Sequence, residues 1–333
     1  YLIQSLDKKG FEVKFLSPRD ASSVELARAI ANESPQLVIG TSPPLPPLFF
    51  VWLGAKWSGA KFILDAKDDG RAVSLLQRSN HSIKENIFLQ LRRFLYTQAD
   101  ELWFLTQGDQ HEAQNNYSIA TQKCKLVPNG TDPRIAFSAD ARKQWRKEWK
   151  VKSGDRAVIY AGSMGDEDII GYVNAASALP KNYFFIFIFS HDNSLSEQAL
   201  RKTIMECISA KLPRFKVIEN VPVEEMGALF SAADVGVIPW KDFLSTSLPI
   251  KVFDYAGTGL PVLAKCSSQG ELAEFLERQK GWGSSTSTWE SFGIRLKKMA
   301  LNSLSDSRRR QRGKKAHKEW NRANILETAL NLF

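Results

Sequence analysis

Short apolar segments alternate with helical segments along nearly the whole of this chain, and this alternation limits the folds open to it. We predict strands in FEVKFLSP (from Phe11), QLVIGT, KFILDA, ELWFLT and CKLV, and further on in AVIYAG, YFFIFIFS, RFKVIEN, DVGVIPW and LPVLAK. Apolar strands separated by helices are typical of parallel sheets that helices cover on both faces. The predicted fold class is therefore α/β, with doubly wound parallel sheets.

The alternation is interrupted between about Pro128 and Lys150, and it restarts with RAVIYAG. A chain of 333 residues also exceeds the length at which one hydrophobic core usually stops growing. We therefore predict two domains facing across a cleft, residues 1–135 and residues 136–315. Apolar residues at helical spacing predict a last helix from about Ala316 to Leu332, and we expect this segment, residues 316–333, to pack back toward the first domain.

Cysteine and histidine give no sign of a metal centre or a disulfide framework. Cys124, Cys207 and Cys266 lie far apart, and none of the 4 histidines has a neighbour at metal-ligand spacing. No apolar run approaches the roughly 20 residues that a membrane-spanning helix needs. These features predict a cytoplasmic protein without a metal site or a cofactor.

The formal net charge of +9 favours an anionic partner. Much of the excess lies in residues 142–152 (RKQWRKEWKVK) and 308–318 (RRRQRGKKAHK), which we predict to be exposed helices or linkers. A solvated surface and peripheral contact with the anionic inner face of a membrane both fit these runs. Trp145 and Trp149 fit either membrane contact or packing against the first domain. Nucleic acid is not expected, because the sequence shows no aromatic or groove-reading elements.

Two loops follow predicted strands at the end where a doubly wound sheet binds ligands. Residues 161–165 (AGSMG) come directly after AVIY, and their glycines allow either close approach of a phosphate or simply a tight turn. Residues 243–249 (FLSTSLP) precede a helix predicted from Ile250 to Thr258. Free amides and hydroxyls at such a helix start fit a diphosphate.

Lys251 and Asp254 lie on one face of this predicted helix because they are three residues apart. The Lys251 ammonium can add a charge-assisted contact to a diphosphate. The Asp254 carboxylate can accept hydrogen bonds from both hydroxyls of a ribose. An ordinary ion pair between the two side chains fits the same spacing, so spacing leaves both interpretations open.

Four segments, KLVPNGTDP, AVIYAGSMG, FSAADVGVIPW and SLPIKVFDYAGTGLPVLA, resemble in order and separation those of the retaining GT-B glycosyltransferases of glycosyltransferase family 4. The resemblance covers almost the whole chain. Its most specific part is similar to the nucleotide-binding helix of the branch that makes surface polysaccharides. The resemblance implies two Rossmann-like domains, with the acceptor side in residues 1–135 and the nucleotide-sugar site in residues 136–315. It also implies that a helix dipole and basic side chains replace a metal ion.

The resemblance also implies which residues surround the donor, a nucleoside diphosphate sugar. These are Asp254 at the ribose, Lys251 with the amides of Ser247 and Leu248 at the diphosphate, Val221 and Pro222 at the base, and the loop residues Gly162 and Ser163.

The chain departs from the family pattern at three points. Many members carry Glu where Thr246 stands, and an Arg often stands where this chain has Ser163. No Lys occurs between Asp166 and Tyr172 to complete the usual basic clamp. Lys251 is therefore expected to carry the positive charge at the diphosphate alone.

On the acceptor side, Lys67, Asp68 and Asp69 resemble the family's Arg-Asp or His-Asp segment facing the cleft. We predict Asp68 as the catalytic residue, since a carboxylate there can orient an acceptor hydroxyl or take its proton. A helix N-cap after the strand fits Asp68 equally well and fits Asp69 better. The family's first strand and glycine-rich acceptor loop are expected to precede Tyr1.

The resulting functional hypothesis is a retaining, metal-independent glycosyltransferase of the hexosyltransferase type. It moves a sugar from a nucleoside diphosphate sugar to a glycan or lipid-linked acceptor in polysaccharide or glycolipid biosynthesis. The alternative is a non-catalytic GT-B-like module that binds nucleotide sugars without turnover. The departures at Thr246 and Ser163 favour that alternative.

Overall fold

The chain folds into two compact units, each with its own parallel sheet. The computed structural model describes residues 2–8, 10–17, 22–42, 44–67, 75, 81–165, 167–190 and 195–330. Unit 1 comprises residues 1–128 and 323–333, and unit 2 comprises residues 129–322. The chain therefore returns to unit 1 after completing unit 2.

Unit 1 contains parallel strands in the order β1-β2-β3-β4. The strands are β1 (Leu37–Ser42), β2 (Lys61–Ala66), β3 (Glu101–Phe104) and β4 (Cys124–Leu126). The helices in this part of the chain are α1 (Leu2–Lys8), α2 (Ser23–Glu33), α3 (Leu45–Ser58), α4 (Ile83–Gln98) and α5 (Gln107–Tyr117), with a 3-10 turn at Thr121–Lys123.

Unit 2 contains parallel strands in the order β10-β9-β8-β5-β6-β7. The strands are β5 (Arg156–Ser163), β6 (Tyr183–Ser190), β7 (Phe215–Glu219), β8 (Val235–Pro239), β9 (Val262–Lys265) and β10 (Gly283–Thr286). The helices are α6 (Ala139–Glu148), α7 (Ile169–Ser177), α8 (Leu195–Lys211), α9 (Val223–Ala232), α10 (Lys251–Gly257), α11 (Glu271–Arg278), α12 (Trp289–Leu301) and α13 (Asp306–Glu319), followed by α14 (Arg322–Leu330). None of the helices among the described residues is both long enough and apolar enough to cross a membrane.

The predicted last helix is divided in two. The α13 helix ends at Glu319, and α14 begins at Arg322. At the break, the Trp320 carbonyl accepts a hydrogen bond of 2.6 Å from the Thr131 amide, and its ring packs in unit 2. The apolar residues of α14, including Leu326, instead join the core of unit 1. The helical periodicity was predicted correctly, but the break depends on tertiary contacts.

Two sequence predictions differ from the structure at sheet edges. Residues 11–17 form no strand, although Phe11 and Val13 pack against an apolar cluster of unit 1. Conversely, the polar residues Gly283–Thr286 form β10, which pairs with β9 at the edge of the sheet. At both places, a segment forms a strand where a neighbouring strand can pair with it. Apolar character is the weaker predictor.

The basic run 308–318 is partly internal. The Arg309 guanidinium is 1% exposed and donates to the carbonyls of Phe230, Ser231 and Ala233 at 2.8–3.1 Å. These carbonyls lie at the carboxyl end of α9, where helix carbonyls lack intrahelical partners. Arg309 therefore caps this helix from inside the protein and is not a surface residue as predicted.

The basic run 142–152 contributes to the same buried region. Arg142 and Arg146 bind the Asp234 carboxylate at 2.5 Å and 3.1 Å, and the Ala157 amide donates to it at 2.8 Å. Burial opposes ionisation of Asp234, but the two guanidinium groups and the amide together hold its pKa below its usual value. Asp234 thus joins α6 to the starts of β5 and β8.

Trp145 and Trp149 pack within unit 2. Trp149 is buried, and its ring stacks on Trp145 with centroids 5.1 Å apart and on Phe184 with centroids 6.2 Å apart. The interpretation of these residues as core is therefore confirmed, but their partner is β6 of their own unit. They provide no exposed aromatic pair for a membrane.

We predict that Asp234→Ala lowers the free energy of unfolding by about 3–5 kcal/mol, because it leaves the largely buried charges of Arg142 and Arg146 without a carboxylate. Urea denaturation measures this value. Asp306→Ala is the matched control, since Asp306 faces Arg142 at 3.7 Å with a side chain 43% exposed, and its loss should cost less than about 1 kcal/mol. Equal losses for the two variants would contradict a structural role for the buried carboxylate.

Candidate functional site

The strand order of unit 2 reverses between β5 and β8. Strands β5, β6 and β7 follow one another toward one edge, and β8, β9 and β10 follow toward the other. In open parallel sheets, ligands bind at the carboxyl ends of the strands beside such a reversal. A ligand site is therefore expected at the loops that follow β5 and β8.

Tyr255 of α10 separates β5 and β8 at this point. The two strands pair only as far as Ile159 and Gly236. Beyond that pair, the Ala161 amide donates to the Tyr255 hydroxyl at 2.9 Å instead of to β8. A Cβ atom at Gly236 would lie 2.7 Å from the Tyr255 ring, so glycine makes room for it. The hydroxyl thus opens the sheet and fixes α10 at its carboxyl edge.

The two loops beside the opening are bonded to each other. The Asp168 amide donates to the Pro239 carbonyl at 2.8 Å, and the Lys241 ammonium donates to the Gly165 carbonyl at 2.5 Å. Glu167 also forms an isolated antiparallel bridge with Trp240. The residues predicted on the two loops are therefore brought together in one region.

A buried ion pair lies at the centre of this region. The Lys251 ammonium binds Oε1 of Glu167, and the two residues are 8% and 4% exposed. Oε2 of Glu167 accepts from the Tyr160 hydroxyl at 2.9 Å and from the Ser163 hydroxyl at 3.4 Å. Lys251 also lies 5.0 Å from the centre of the Tyr160 ring. Its positive charge is therefore neutralised within the protein.

Gly162 leaves room for this ion pair. A Cβ atom at that position would overlap the Lys251 ammonium and lie 2.7 Å from the Tyr160 hydroxyl. The glycine therefore serves the packing of buried side chains, a role that the sequence pattern did not distinguish from phosphate binding. Gly162 and Ser163 end β5, at the predicted place.

The loop before α10 offers polar groups that are not paired with other described residues. The Ser247 hydroxyl is enclosed without a hydrogen-bond partner, whereas its amide donates to the Leu244 carbonyl at 3.1 Å. The hydrogen bonds that begin α10 are donated by the amides of Val252 and Phe253, to the carbonyls of Pro249 and Ile250. The amide of Leu248 has no acceptor in the described part of the chain. Of the two amides predicted at a diphosphate, one is thus available and one is used by a turn.

Asp254 is the second polar group of this segment that is not paired. No hydrogen bond or ion pair joins its carboxylate to another described residue, and Lys251 binds Glu167 instead of Asp254. Burial raises the pKa of Asp254 to about 7, and the nearby carboxylate of Asp132 adds to this effect. Asp254 is therefore an acceptor group held at the sheet edge without a partner from the described chain.

Val221 and Pro222 follow β7 at the same edge of the sheet. Val221 packs against the core of unit 2, as does Leu248, and Pro222 precedes the first residue of α9. Asn220 has a positive φ of 50°, and its amide donates to the Phe189 carbonyl at 2.8 Å. The turn that positions Val221 is therefore anchored to β6.

The predicted catalytic residue Asp68 lies outside the described residues, as does Asp69. Next to it, Lys67 binds Asp65 at 3.0 Å, and its amide donates to the Ser42 carbonyl at 3.1 Å. Asp65 is 3% exposed near the carboxyl end of β2. This carboxylate, which lies inside the apolar strand KFILDA, was not singled out from the sequence.

Glu167 was also missed as a functional residue. The neighbouring Asp168 caps α7 by accepting from the Gly171 amide at 2.9 Å. Glu167 instead points at Lys251, which is 84 positions further along the chain. No group of three or more His, Cys, Asp or Glu side chains in the described part of the chain is arranged to hold a metal ion.

The fold is shared with solved structures of glycosyltransferases. The chain is 14% identical to HepE of Anabaena, solved in complex with UDP-glucose, over 99% of this chain and 89% of that one, with a TM-score of 0.71. The chain is 13% identical to a glycosyltransferase of Rickettsia africae over 99% of this chain and 86% of that one, with a TM-score of 0.68. It is 13% identical to WaaG, a glycosyltransferase involved in lipopolysaccharide biosynthesis, over 92% of this chain and 93% of that one, with a TM-score of 0.64.

These likenesses confirm the fold prediction: the chain has the GT-B fold, with two parallel-sheet α/β domains. The structural neighbours are GT-B glycosyltransferases, as the resemblance of the sequence implied. No protein-family model matches the chain, and no curated protein matches it by sequence. At 12–15% identity, the comparisons establish the fold and leave the activity to be argued from the site.

We predict that Asp254→Asn stabilises the protein increasingly as the pH rises. The unfolded chain ionises this carboxyl near pH 4, whereas the folded protein keeps it protonated up to about pH 7. The wild type therefore loses stability between these values, and the loss levels off above pH 7. The amide avoids this loss, so the gain in the free energy of unfolding should be small near pH 4 and reach its plateau above pH 7, at roughly 4 kcal/mol.

Thermal melts of both proteins across this pH range measure the difference. A gain that is the same at every pH would contradict the raised pKa of Asp254.

Proposed function

We propose that this protein is a glycosyltransferase that binds a nucleoside diphosphate sugar at the carboxyl edge of the unit 2 sheet. The observation that carries the proposal is the Asp254 carboxylate, which has no partner among the described residues beside the reversal of strand order. An ionised carboxylate accepts two hydroxyl donors, which matches the two hydroxyls of a ribose.

The diphosphate is proposed to lie against the loop before α10. The Leu248 amide and the Ser247 hydroxyl are the donors there without a described partner. A buried hydroxyl left unpaired costs about 1–3 kcal/mol, so a ligand that pairs it recovers that cost on binding. Val221 and Pro222 are proposed to contact the base.

Several finer features remain part of the proposal. The transfer is proposed to retain the anomeric configuration, to use no metal ion, and to use Asp68 to orient or deprotonate the acceptor hydroxyl. The proposed acceptor is a glycan or a lipid-linked glycan in polysaccharide or glycolipid biosynthesis, on the cytoplasmic side of the membrane. HepE, solved with UDP-glucose, and WaaG, involved in lipopolysaccharide biosynthesis, support this choice of donor and acceptor class by their fold.

A non-catalytic module that binds nucleotide sugars is the second candidate. The specific observation in its favour is the neutralised charge of Lys251. A departing nucleoside diphosphate gains negative charge as the glycosidic bond breaks, and a basic group free to stabilise that charge accelerates the reaction. Transfer assays distinguish the two candidates.

We predict that one of the nucleotides UDP, GDP and CDP, alone or as its nucleotide sugar, raises the Tm of the protein. A ligand that binds only the folded state stabilises that state by mass action. Asp254→Ala should abolish the shift by removing the ribose acceptor. Asp68→Ala should leave the shift intact and remove transfer, measured as nucleoside diphosphate released with acceptor present.

Asp242→Ala serves as a control, since this exposed carboxylate lies on the loop before α10 and pairs with Lys265 at the end of β9. Its thermal shift should match that of the wild type. Binding without transfer or hydrolysis by the wild type would favour the non-catalytic module. A shift that survives Asp254→Ala would refute the proposed ribose contact.

Peripheral contact with an anionic membrane is proposed for α13. Although Arg309 is internal, five basic residues of this helix are exposed: Arg308, Arg310, Lys314, Lys315 and Lys318. Exposed basic residues near an anionic lipid surface contribute about 1 kcal/mol each. The helix therefore retains enough exposed charge for such contact.

We predict that the wild type co-sediments with phosphatidylglycerol vesicles and not with phosphatidylcholine vesicles, and that added salt releases it. Replacing Arg310 and Lys314 by Gln should weaken binding about thirtyfold. Replacing Lys143 and Lys147 by Gln, which are exposed on α6, gives the matched control. Equal losses for the two pairs would show attraction by net charge alone.

A further inference from the structure

We propose that Glu167 sets how the donor site distinguishes the sugar nucleotide from the nucleoside diphosphate product. This inference rests on the proposed function. By holding the Lys251 ammonium in an ion pair, Glu167 weakens the binding of both ligands and weakens that of the more highly charged product further. Glu167 is thus a specificity-determining residue that favours product release.

The first step of the argument is the burial of the pair. Glu167 and Lys251 are 4% and 8% exposed, so water screens their charges little. The Glu167 carboxylate is fixed on its other side by the Tyr160 hydroxyl at 2.9 Å. The backbone bridge from Glu167 to Trp240 holds it to the neighbouring loop as well. The carboxylate is therefore a fixed negative charge at the strand reversal.

The second step concerns the other cations of these loops. Lys265 is paired with Asp242 at 2.8 Å, and Lys241 donates to the Gly165 carbonyl at 2.5 Å. Lys251 is the buried cation at the reversal, and it shares a hydrogen bond with Glu167. A phosphate that contacts its ammonium therefore comes close to the carboxylate. The net charge that such a phosphate meets is near zero.

The third step is the charge of the ligands. In the transfer, the bond from the acceptor oxygen to the anomeric carbon forms, the bond from that carbon to the β-phosphate oxygen breaks, and the oxygen keeps the electron pair. The hydroxyl proton of the acceptor passes to solvent. Because a terminal phosphate has its second pKa near 6, the product carries about one more negative charge than the donor at pH 7.5. A fixed carboxylate repels that product more strongly than the donor.

The test is Glu167→Gln, which keeps the shape and an acceptor for Lys251 while removing the negative charge. Dissociation constants are measured by calorimetry for UDP and UDP-glucose, and for GDP and GDP-mannose. We expect the nucleoside diphosphate of the binding pair to bind about tenfold more tightly to the variant, and the sugar nucleotide roughly threefold more tightly. Inhibition of transfer by the product should strengthen in proportion.

Asp155→Asn is the matched control. Asp155 is buried and pairs with Arg214 at 2.7 Å, but it precedes β5 and so lies at the opposite end of that strand. This variant changes the net charge equally and should leave both dissociation constants within about twofold of the wild type. Unchanged, weakened or equally tightened binding of the two ligands by Glu167→Gln would overturn the inference.

If Glu167→Gln does not fold, the double variant Glu167→Gln/Lys251→Gln replaces it, since removing both charges leaves no buried ion alone. The inference requires its affinity for the nucleoside diphosphate to stay within about threefold of the wild type, because the pair presents little net charge. A loss larger than about threefold would overturn it. Failure of the proposed function has a different signature, namely that no nucleotide binds to the wild type, the variants or the Asp155→Asn control.

Discussion

The site in unit 2 depends on the hydroxyl of Tyr255. Two parallel strands that stayed paired to their ends would leave no opening at the reversal of strand order. Here the Ala161 amide donates to the Tyr255 hydroxyl at 2.9 Å, so β5 satisfies its backbone without β8. A buried amide left without an acceptor would cost about 1–3 kcal/mol. Because Tyr255 lies in α10, the same hydrogen bond that opens the sheet also fixes Lys251 and Asp254 at the opening.

Net charge proved a weak guide to surface properties, because several basic residues are internal. Arg142, Arg146 and Arg309 bind the carbonyls at the end of α9 and the Asp234 carboxylate. Guanidinium groups suit this role, since each has five donors in a planar fork. The same runs of sequence also supply exposed lysines on α6 and α13. Composition counts the internal arginines and the exposed lysines together. Their burial shows which of them bind groups inside the protein and which lie at its surface.

The sequence predicted the layout of the two sheets and the position of α10, because apolar strands and a proline-led helix start are local signals. It did not predict the partners of the charged residues. Spacing placed Asp254 and Lys251 on one helix face, but Lys251 binds Glu167, which is 84 positions away. The polar strand β10 and the break at Trp320 were missed for the same reason. In each case a contact formed by the fold outweighs the local preference.

The two charged residues of α10 therefore differ in a way that limits what the site recognises. Lys251 has a carboxylate partner inside the protein, whereas Asp254 has none in the described chain and keeps a pKa of about 7. A ligand gains more from pairing an unsatisfied group than from competing for a satisfied one. Recognition should thus rest mainly on ligand hydroxyls at Asp254, with phosphate held by neutral donors of the preceding loop. Under the proposed function, such a site would be specific for a ribose while binding phosphate charge weakly.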